Sequence, residues 1–347
     1  MKNKLTAVMQ TKRIQRWISR PNHQLVAGLV TPSGRCIWVN GIPANNDRAP
    51  DSIYETGSIT KTFIGLLLAV GEEKGWWTNS DTLADLVPEW SSSPFAQKTT
   101  LLDLATHTSG LPRVPPNMKK TIQDQLDPYA NYEEKDLTEA VLSESPREKK
   151  AFQYSNYGYG LLGWLLARQL GKSLHNAMTE LVFKPLQMNS TGFDVDDMER
   201  KIPVYSSKGK PVPHWNFHDC TAGAGGICST ISDMLHYIEA NLGLRGKEMA
   251  PAFARCHEEY FSIRPDKGIG IGYGWLHFRE KDGSLTHWHN GGTYGSSSFA
   301  SFNRDHGFGL VLLSNYGPNL RSHLPVIGKR PLNLDKIAKL LNEAMLT

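Results

Sequence analysis

Apolar residues recur with two different periods along this chain of 347 residues, and the dominant period changes twice. Ile59, Phe63, Leu66, Leu67 and Val70 follow the 3.6-residue repeat of a helix face. Further apolar positions among them predict that the helix Ser58–Gly75 is buried on most sides, with Gly75 as its C-cap. Residues 3–19 predict another helix, and Gln24–Val30 and Arg35–Gly41 read as two strands joined by Thr31-Pro32-Ser33-Gly34, a hairpin signal. From about 76 to 215 helical stretches dominate: Leu101–His107, Leu137–Leu142, Gly158–Leu170 and Leu174–Val182, separated by Pro- and Gly-rich loops. From about 216 strand patterns return. Gly274–Arg279, Leu285–His289, Ser297–Asn303 and Gly307–Ser314 predict a run of antiparallel strands, with hairpin turns at Asp282-Gly283 and Asp305-His306-Gly307. Leu332–Met345 predicts an amphipathic C-terminal helix.

This order predicts an α/β (α+β) chain. An antiparallel sheet flanked by helices is built from both chain ends, 1–75 and 216–347, and 76–215 forms a mainly helical insertion. The Ser58 helix then lies where the two parts meet, and a cleft between them is the expected ligand site.

Composition narrows the function classes. Hydrophobic content of 39% and charged content of 21% are globular values. A net charge of +4 with no dense basic block argues against a nucleic-acid partner. No stretch approaches a membrane span. No apolar run long enough for a signal peptide follows Lys2, Lys4, Lys12, Arg13 and Arg16, so the chain as written is expected in the cytoplasm. A leader already removed would place it in the periplasm or outside the cell. Cys36, Cys220, Cys228 and Cys256 have no CxxC spacing and read as free thiols. His214, His218 and Cys220 lie close together, but no second ligand pair accompanies them, so neither a metal nor a cofactor is expected. Trp76, Trp77 and Trp215 read as packing at the junction.

Three short motifs carry the chemistry. Ser58-Ile59-Thr60-Lys61 opens the most apolar helix. A serine hydroxyl needs a base within hydrogen-bond reach, and positions i and i+3 share a helix face. The free N–H groups of a helix start also suit a developing oxyanion. A second copy, Ser207-Lys208-Gly209-Lys210, lies in a Lys/Gly/Pro stretch without apolar periodicity and reads as a solvated loop. In Tyr154-Ser155-Asn156 an extended backbone points a phenol and an amide into one cleft. Tyr154 can be held as phenolate or relay a proton, and Asn156 can hold a substrate carbonyl or orient Lys61. Tyr129-Ala130-Asn131 has the same spacing but is expected to be an exposed loop beside Glu133 and Glu134. The third motif is His289-Asn290-Gly291-Gly292-Thr293. Its glycines allow close backbone approach to a ligand, Gly292 N–H can oppose Ser58 N–H as a second oxyanion donor, and His289 can bind a carboxylate or assist proton transfer.

In this order the motifs resemble the serine β-lactamase and penicillin-binding-protein-like superfamily, in its class C branch of β-lactamases, D-Ala-D-Ala carboxypeptidases, D-aminopeptidases and family VIII carboxylesterases. The likeness also takes in Glu55–Lys61, Leu102–Pro112, Tyr154–Gly158, Pro185–Met188, Ala222–Gly226 and Ser229-Thr230, and it runs from about 24 to 345. It implies a serine hydrolase in which Ser58 attacks an ester or amide carbonyl, Lys61 and Tyr154 act as a coupled proton pair, and water cleaves the acyl-enzyme. The implied substrate-binding residues are Asn156, His289, Asn290 and Gly291, and the implied partner is a small ester, amide or D-peptide. Two departures stand out. Class C β-lactamases carry Lys-Thr-Gly where this chain has His289-Asn290-Gly291, and a histidine is mostly neutral near pH 7. They also carry a glutamine just past the Leu-Pro, where this chain has Arg113-Val114-Pro115, with Arg113 expected at the surface. Both departures favour a carboxylesterase or D-amino-acid peptidase over a β-lactamase. A non-catalytic penicillin-binding or sensor protein is the reading of another class.

Overall fold

The computed structural model describes residues 2–40, 51–193, 199–318 and 332–346. The first predicted hairpin is present as β1 (Leu25–Thr31) and β2 (Gly34–Asn40), closing at Thr31 opposite Gly34; Gly41 lies outside the described residues. The remaining strands of the main sheet are β5 (Phe261–Arg264), β6 (Ile269–Ile271), β7 (Leu276–Arg279), β8 (Leu285–Gly292), β9 (Ser297–Asn303) and β10 (Phe308–Ser314), while β3 (Tyr54–Glu55) and β4 (Cys228–Ser229) form a separate ribbon. The main sheet is antiparallel throughout, in the order β2-β1-β10-β9-β8-β7-β6-β5. Strands from early and late in the chain, β1 and β10, therefore pair inside the sheet, as the order of elements predicts.

Both faces of the central strands are covered, which is why β1 and β10 read as nearly continuous apolar runs. Alternation still sorts their side chains. Val26, Val30, Val311 and Leu313 join the large core with the helix Thr60–Glu73. Leu25, Ala27, Leu29, Leu310 and Leu312 turn to the other face, against the helices Lys2–Met9, Lys12–Ile18 and Leu334–Leu346. Among the helices between 83 and 183, Asn156–Gln169 packs directly on Thr60–Glu73.

Three local expectations change. Residues after 216 first form a short helix, Asp219–Ala222, and then two longer ones, Ile231–Asn241 and Ala250–His257, before any strand of the main sheet. Thr230 caps the first of these by accepting from Asp233 N, and Ile231, Met234, Leu235 and Ile238 are buried at helical spacing. The N-terminal helix is broken into two at Gln10 and Thr11. Strand β8 runs on through the glycines, with Asn290, Gly291 and Gly292 opposite Phe299, Ser298 and Ser297. Among the described residues no helix is long and apolar enough to cross a membrane. Trp77 packs within the core and Trp76 is exposed.

Candidate active site

Ser58 sits in a single 3-10 turn, Gly57–Ile59, that runs straight into the helix Thr60–Glu73. The turn is pressed against the end of β8. Gly57 has φ +52, and a Cβ there would lie 2.5 Å from Gly292 N. At Gly291 a Cβ would lie 2.1 Å from Thr56 O and 3.0 Å from Ser58 N. Only bare backbone on both sides lets Ser58 and the Gly291-Gly292 pair approach this closely. Glu55 holds the two pieces in register from behind. Its buried carboxylate accepts from Thr293 Oγ1 (2.6 Å) and Trp215 N (2.8 Å) and lies 3.3 Å from His214 Nδ1. Burial alone would push its pKa up, but the bonds from His214, Thr293 and Trp215 outweigh it and keep the group below the usual carboxylate range.

Lys61 is fully buried one turn along, with Nζ 3.2 Å from Ser58 Oγ, 2.9 Å from Asn156 Oδ1 and 2.5 Å from Ala224 O. Burial, and then the charge of Arg113, hold its pKa well below that of a free lysine. A neutral amine has two N–H donors and one lone pair, and the three contacts fit that inventory. In that form the two carbonyl oxygens take the donors and the lone pair faces the Ser58 hydroxyl, whereas an ammonium would donate to all three oxygens.

Tyr154 precedes the helix Asn156–Gln169, whose N-cap Ser155 accepts from Gly158 N and donates to Pro112 O. The Lys61 amine lies 5.0 Å from the centre of the Tyr154 ring, and the Arg113 guanidinium lies 5.3 Å from it. Burial raises the phenol pKa to about 12 against the pull of a hydrogen bond with Ser58 and of Arg113, so a resident phenolate is disfavoured. His107 holds this segment in place. Its backbone is left-handed (φ +59), its carbonyl accepts from Gln153 N, and its Nδ1 accepts from Ser155 N at 3.1 Å. The surrounding loop was legible in the sequence only by resemblance, and the role of His107 was not legible at all.

The third motif divides between two environments. His289 is buried, bonded through Nδ1 to its neighbour's carbonyl, Asn290 O (2.6 Å), and held neutral with a pKa of about 3 chiefly by burial. Asn290, Gly291 and Gly292 instead border the cleft, and Asn290 Nδ2 donates to Asp335. The cleft, of about 800 Å³, is bordered by Ser58, Tyr154 and Arg113 and by an apolar wall that includes Phe152, Leu276 and Trp288. Arg113 is exposed, as expected, but at the mouth of this cleft rather than on a remote surface. The second Ser-x-x-Lys is a turn in which Ser206 N donates to Lys210 O. Tyr129, expected in an exposed loop, is buried and its hydroxyl accepts from Asn156 Nδ2 at 2.9 Å. His218 and Cys220 bond to the carbonyls of Ala130 and Tyr132, and among the described residues no cluster of His, Cys, Asp and Glu could hold a metal ion.

Burial of histidines has a measurable cost. His23, His287 and His289 are held neutral, with pKa values of about 3, 4 and 3, chiefly by burial. Above the unfolded value of about 6.5 both states are neutral and these groups add no pH dependence. Below it the unfolded chain takes up protons that the fold refuses, so stability falls with pH by about 1.4 kcal/mol per group and pH unit until about pH 4. From these histidines the melting temperature is expected to drop steeply between pH 6 and 4; above pH 7 they contribute nothing, and the lowered pKa of Lys61 makes stability rise with pH until the unfolded lysine loses its proton at about 10.4. A melting temperature constant down to pH 4 would contradict this.

A profile of the Beta-lactamase family matches residues 22–326. The chain belongs to the beta-lactamase family. Curated relatives include a beta-lactamase of Pseudomonas fluorescens, 29% identical over 270 residues (73% of this chain, 70% of that one). Another is Protein flp of Staphylococcus aureus (strain MW2), 28% identical over 310 residues (85% and 60%). The match to the beta-lactamase of Escherichia coli (strain K12), at 31% identity, spans about half of each chain (55% and 48%). Among solved structures, a class C beta-lactamase from Rhodobacter sphaeroides superposes with a TM-score of 0.78 at 23% identity, covering 99% of this chain and 98% of that one. A Beta-Lactamase/D-Alanine Carboxypeptidase from Pseudomonas syringae gives 0.79 at 19%, covering 99% and 98%. The fold is thus that of the class C enzymes, and the chain is a serine hydrolase of the beta-lactamase family.

Proposed function

We propose that this hydrolase cleaves small esters, or amides of D-amino acids, through an acyl-enzyme on Ser58. The observation that carries the reading is the buried Lys61, whose nitrogen lies 3.2 Å from Ser58 Oγ and within hydrogen-bond distance of Asn156 Oδ1 and Ala224 O. Ser58 Oγ attacks the carbonyl carbon, and its proton passes to Lys61. The carbonyl oxygen becomes an oxyanion between the N–H groups of Ser58 and Gly292. Tyr154, a protonated phenol bonded to Ser58, then donates to the leaving alcohol or amine and is reprotonated through Lys61. Water enters by the reverse relay and releases the acid.

The apolar wall of the cleft supports an acyl group of hydrocarbon character. A β-lactam carries a carboxylate beside its ring, and the third-motif position offers it a neutral, buried imidazole. Hydrolysis of a β-lactam amide is the second reading, supported by the names of the curated relatives. A panel of short-chain p-nitrophenyl esters, D-Ala peptides and nitrocefin tests both readings, with mass spectrometry for acyl groups trapped on Ser58. Ester turnover and an acyl adduct on Ser58 are expected, with Ser58→Ala losing at least about 1,000-fold in kcat. Full activity of Ser58→Ala would refute the mechanism. Rapid turnover of nitrocefin with none of esters would favour the second reading, and a single stoichiometric burst would mark a sensor.

A further inference from the structure

The helix Leu101–Ala105 ends in a Schellman turn: His107 N donates to Leu104 O (3.3 Å), Thr108 N donates to Asp103 O (2.9 Å), and His107 takes the left-handed position (φ +59). Glycine suits that position best, because a Cβ is disfavoured there. The chain carries a buried histidine instead. A residue that strains its backbone persists where its side chain does something that glycine cannot.

The extended segment around Tyr154 hangs from the loop that begins at His107. Gln153 N donates to His107 O (2.8 Å), and Asn156 N and Tyr157 N donate to Arg113 O (2.8 Å and 3.2 Å). These acceptors are backbone carbonyls, which any residue would supply. Ser155 N is the exception, since it donates to the side chain of His107, at Nδ1, over 3.1 Å. An Nδ1 that accepts leaves the ring proton on Nε2, and burial holds the imidazole well below the usual histidine pKa, so the acceptor is kept. The same ring lies against Tyr154, with centroids 4.5 Å apart and planes inclined at 36°. His107 thus grips the backbone on either side of Tyr154 and one face of its ring, while the phenol is hydrogen-bonded to Ser58.

We propose that His107 is a positioning residue for proton donation: through its bond from Ser155 N and its contact with the ring, it holds the Tyr154 hydroxyl where a leaving oxygen can take its proton, and so fits the enzyme to esters with basic leaving groups. As the bond between the carbonyl carbon and the leaving oxygen breaks, the electron pair stays on that oxygen and the phenol proton moves to it. Lys61 then returns a proton to the phenolate. An alkoxide needs the proton to depart, whereas a nitrophenolate is weakly basic and departs without it. Misplacing Tyr154 is therefore selective in its damage. The proposal rests on the acyl-enzyme reading above and adds the class of leaving group.

The test compares kcat/KM for p-nitrophenyl butyrate and trifluoroethyl butyrate, which form the same acyl-enzyme and differ in the basicity of the leaving group. In His107→Gly, which relieves the left-handed backbone and removes the imidazole, the trifluoroethyl ester is expected to lose about tenfold more than the nitrophenyl ester, within the scale of a small misplacement of a reacting group. His107→Asn also suits that backbone and offers Oδ1 to Ser155 N, so it should recover about threefold of the selectivity. Tyr154→Phe sets the limit, with a selective loss of about 100-fold or more. In a Tyr154→Phe background, His107→Gly should add no further selectivity. An equal fall of both esters in His107→Gly marks a purely structural role and overturns the proposal. So does an asparagine variant no better than the glycine variant, or a selective loss from His107→Gly that persists without the Tyr154 hydroxyl. Tyr154→Phe separates the two levels. If it lowers both esters equally, the proton-donor reading fails and the proposal with it, whereas a selective loss in Tyr154→Phe but not in His107→Gly refutes only the role of His107.

Discussion

Lys61→Met should lower kcat for ester hydrolysis by about 1,000- to 10,000-fold, the upper range for losing a positioned base that activates the nucleophile. The stability of the variant should change far less. Removing a fully buried amine relieves its desolvation, while Asn156 Oδ1 and Ala224 O lose their donor at about 1–3 kcal/mol each. These opposing effects leave a folded, inactive protein. Lys61→Arg separates charge from basicity. A guanidinium supplies a permanent positive charge but never yields the lone pair that the Ser58 proton needs. It should be as inactive as Lys61→Met if Lys61 takes the proton. An arginine variant with a tenth or more of wild-type kcat would show that only the charge matters and would remove Lys61 from the proton path.

Gly291→Ala should be nearly as damaging, by a different route. Its new methyl group would lie 2.1 Å from Thr56 O and 2.4 Å from Ser298 Oγ, inside the hydrogen bond that joins those two atoms. Neither neighbour is the free end of a flexible chain, so the end of β8 must move away from the Ser58 turn. Overpacking of this kind costs about 1–3 kcal/mol of stability. Separating Ser58 N from Gly292 N should also dismantle the proposed oxyanion pair, for a further loss of about 100- to 1,000-fold in kcat. Gly292→Ala is the matched control. Its methyl would meet the Pro318 ring at 3.0 Å and 3.2 Å, on the far side from Ser58. Its effect on kcat should be smaller by at least about tenfold. Equal rates for the two variants would mean that the close approach of Gly291 to Thr56 does not set the geometry of the site.

Much of this was legible in the residues, and the exceptions share a cause. The Ser58 helix, the hairpin of β1 and β2, and the strands β9 and β10 bury patterned faces, so local periodicity reports them. Strands β5 and β6 have only four and three residues, and no window that short distinguishes a strand from a loop without its partner. The helix Ile231–Asn241 did carry a signal, in its Thr230 cap and its apolar spacing, that was overshadowed by the strand-rich stretch after it. At the site, the chemistry of Ser58, Lys61, Tyr154 and the glycine strand follows from residue type. The supports do not. Tyr129 lies among polar residues and looks exposed because the segment that buries it, 215–217, is more than 80 positions away. His107 adopts a left-handed backbone that its residue type does not demand. Arg113 was placed at the surface correctly, yet a surface position is also what borders a cleft.

The pairing of β1 with β10 sets Leu25 opposite Ser314. During synthesis Ser58 and Lys61, the proposed nucleophile and base, leave the ribosome long before β8, which carries the proposed oxyanion donor Gly292. The pair β1–β10 therefore cannot form until residue 314 has been made, and loop closure over so long a span makes that step slow. Hydrolytic competence should accordingly arrive late and all at once, with the half-built chain exposing an unpaired β1 edge that only its own C-terminal strand is shaped to cover.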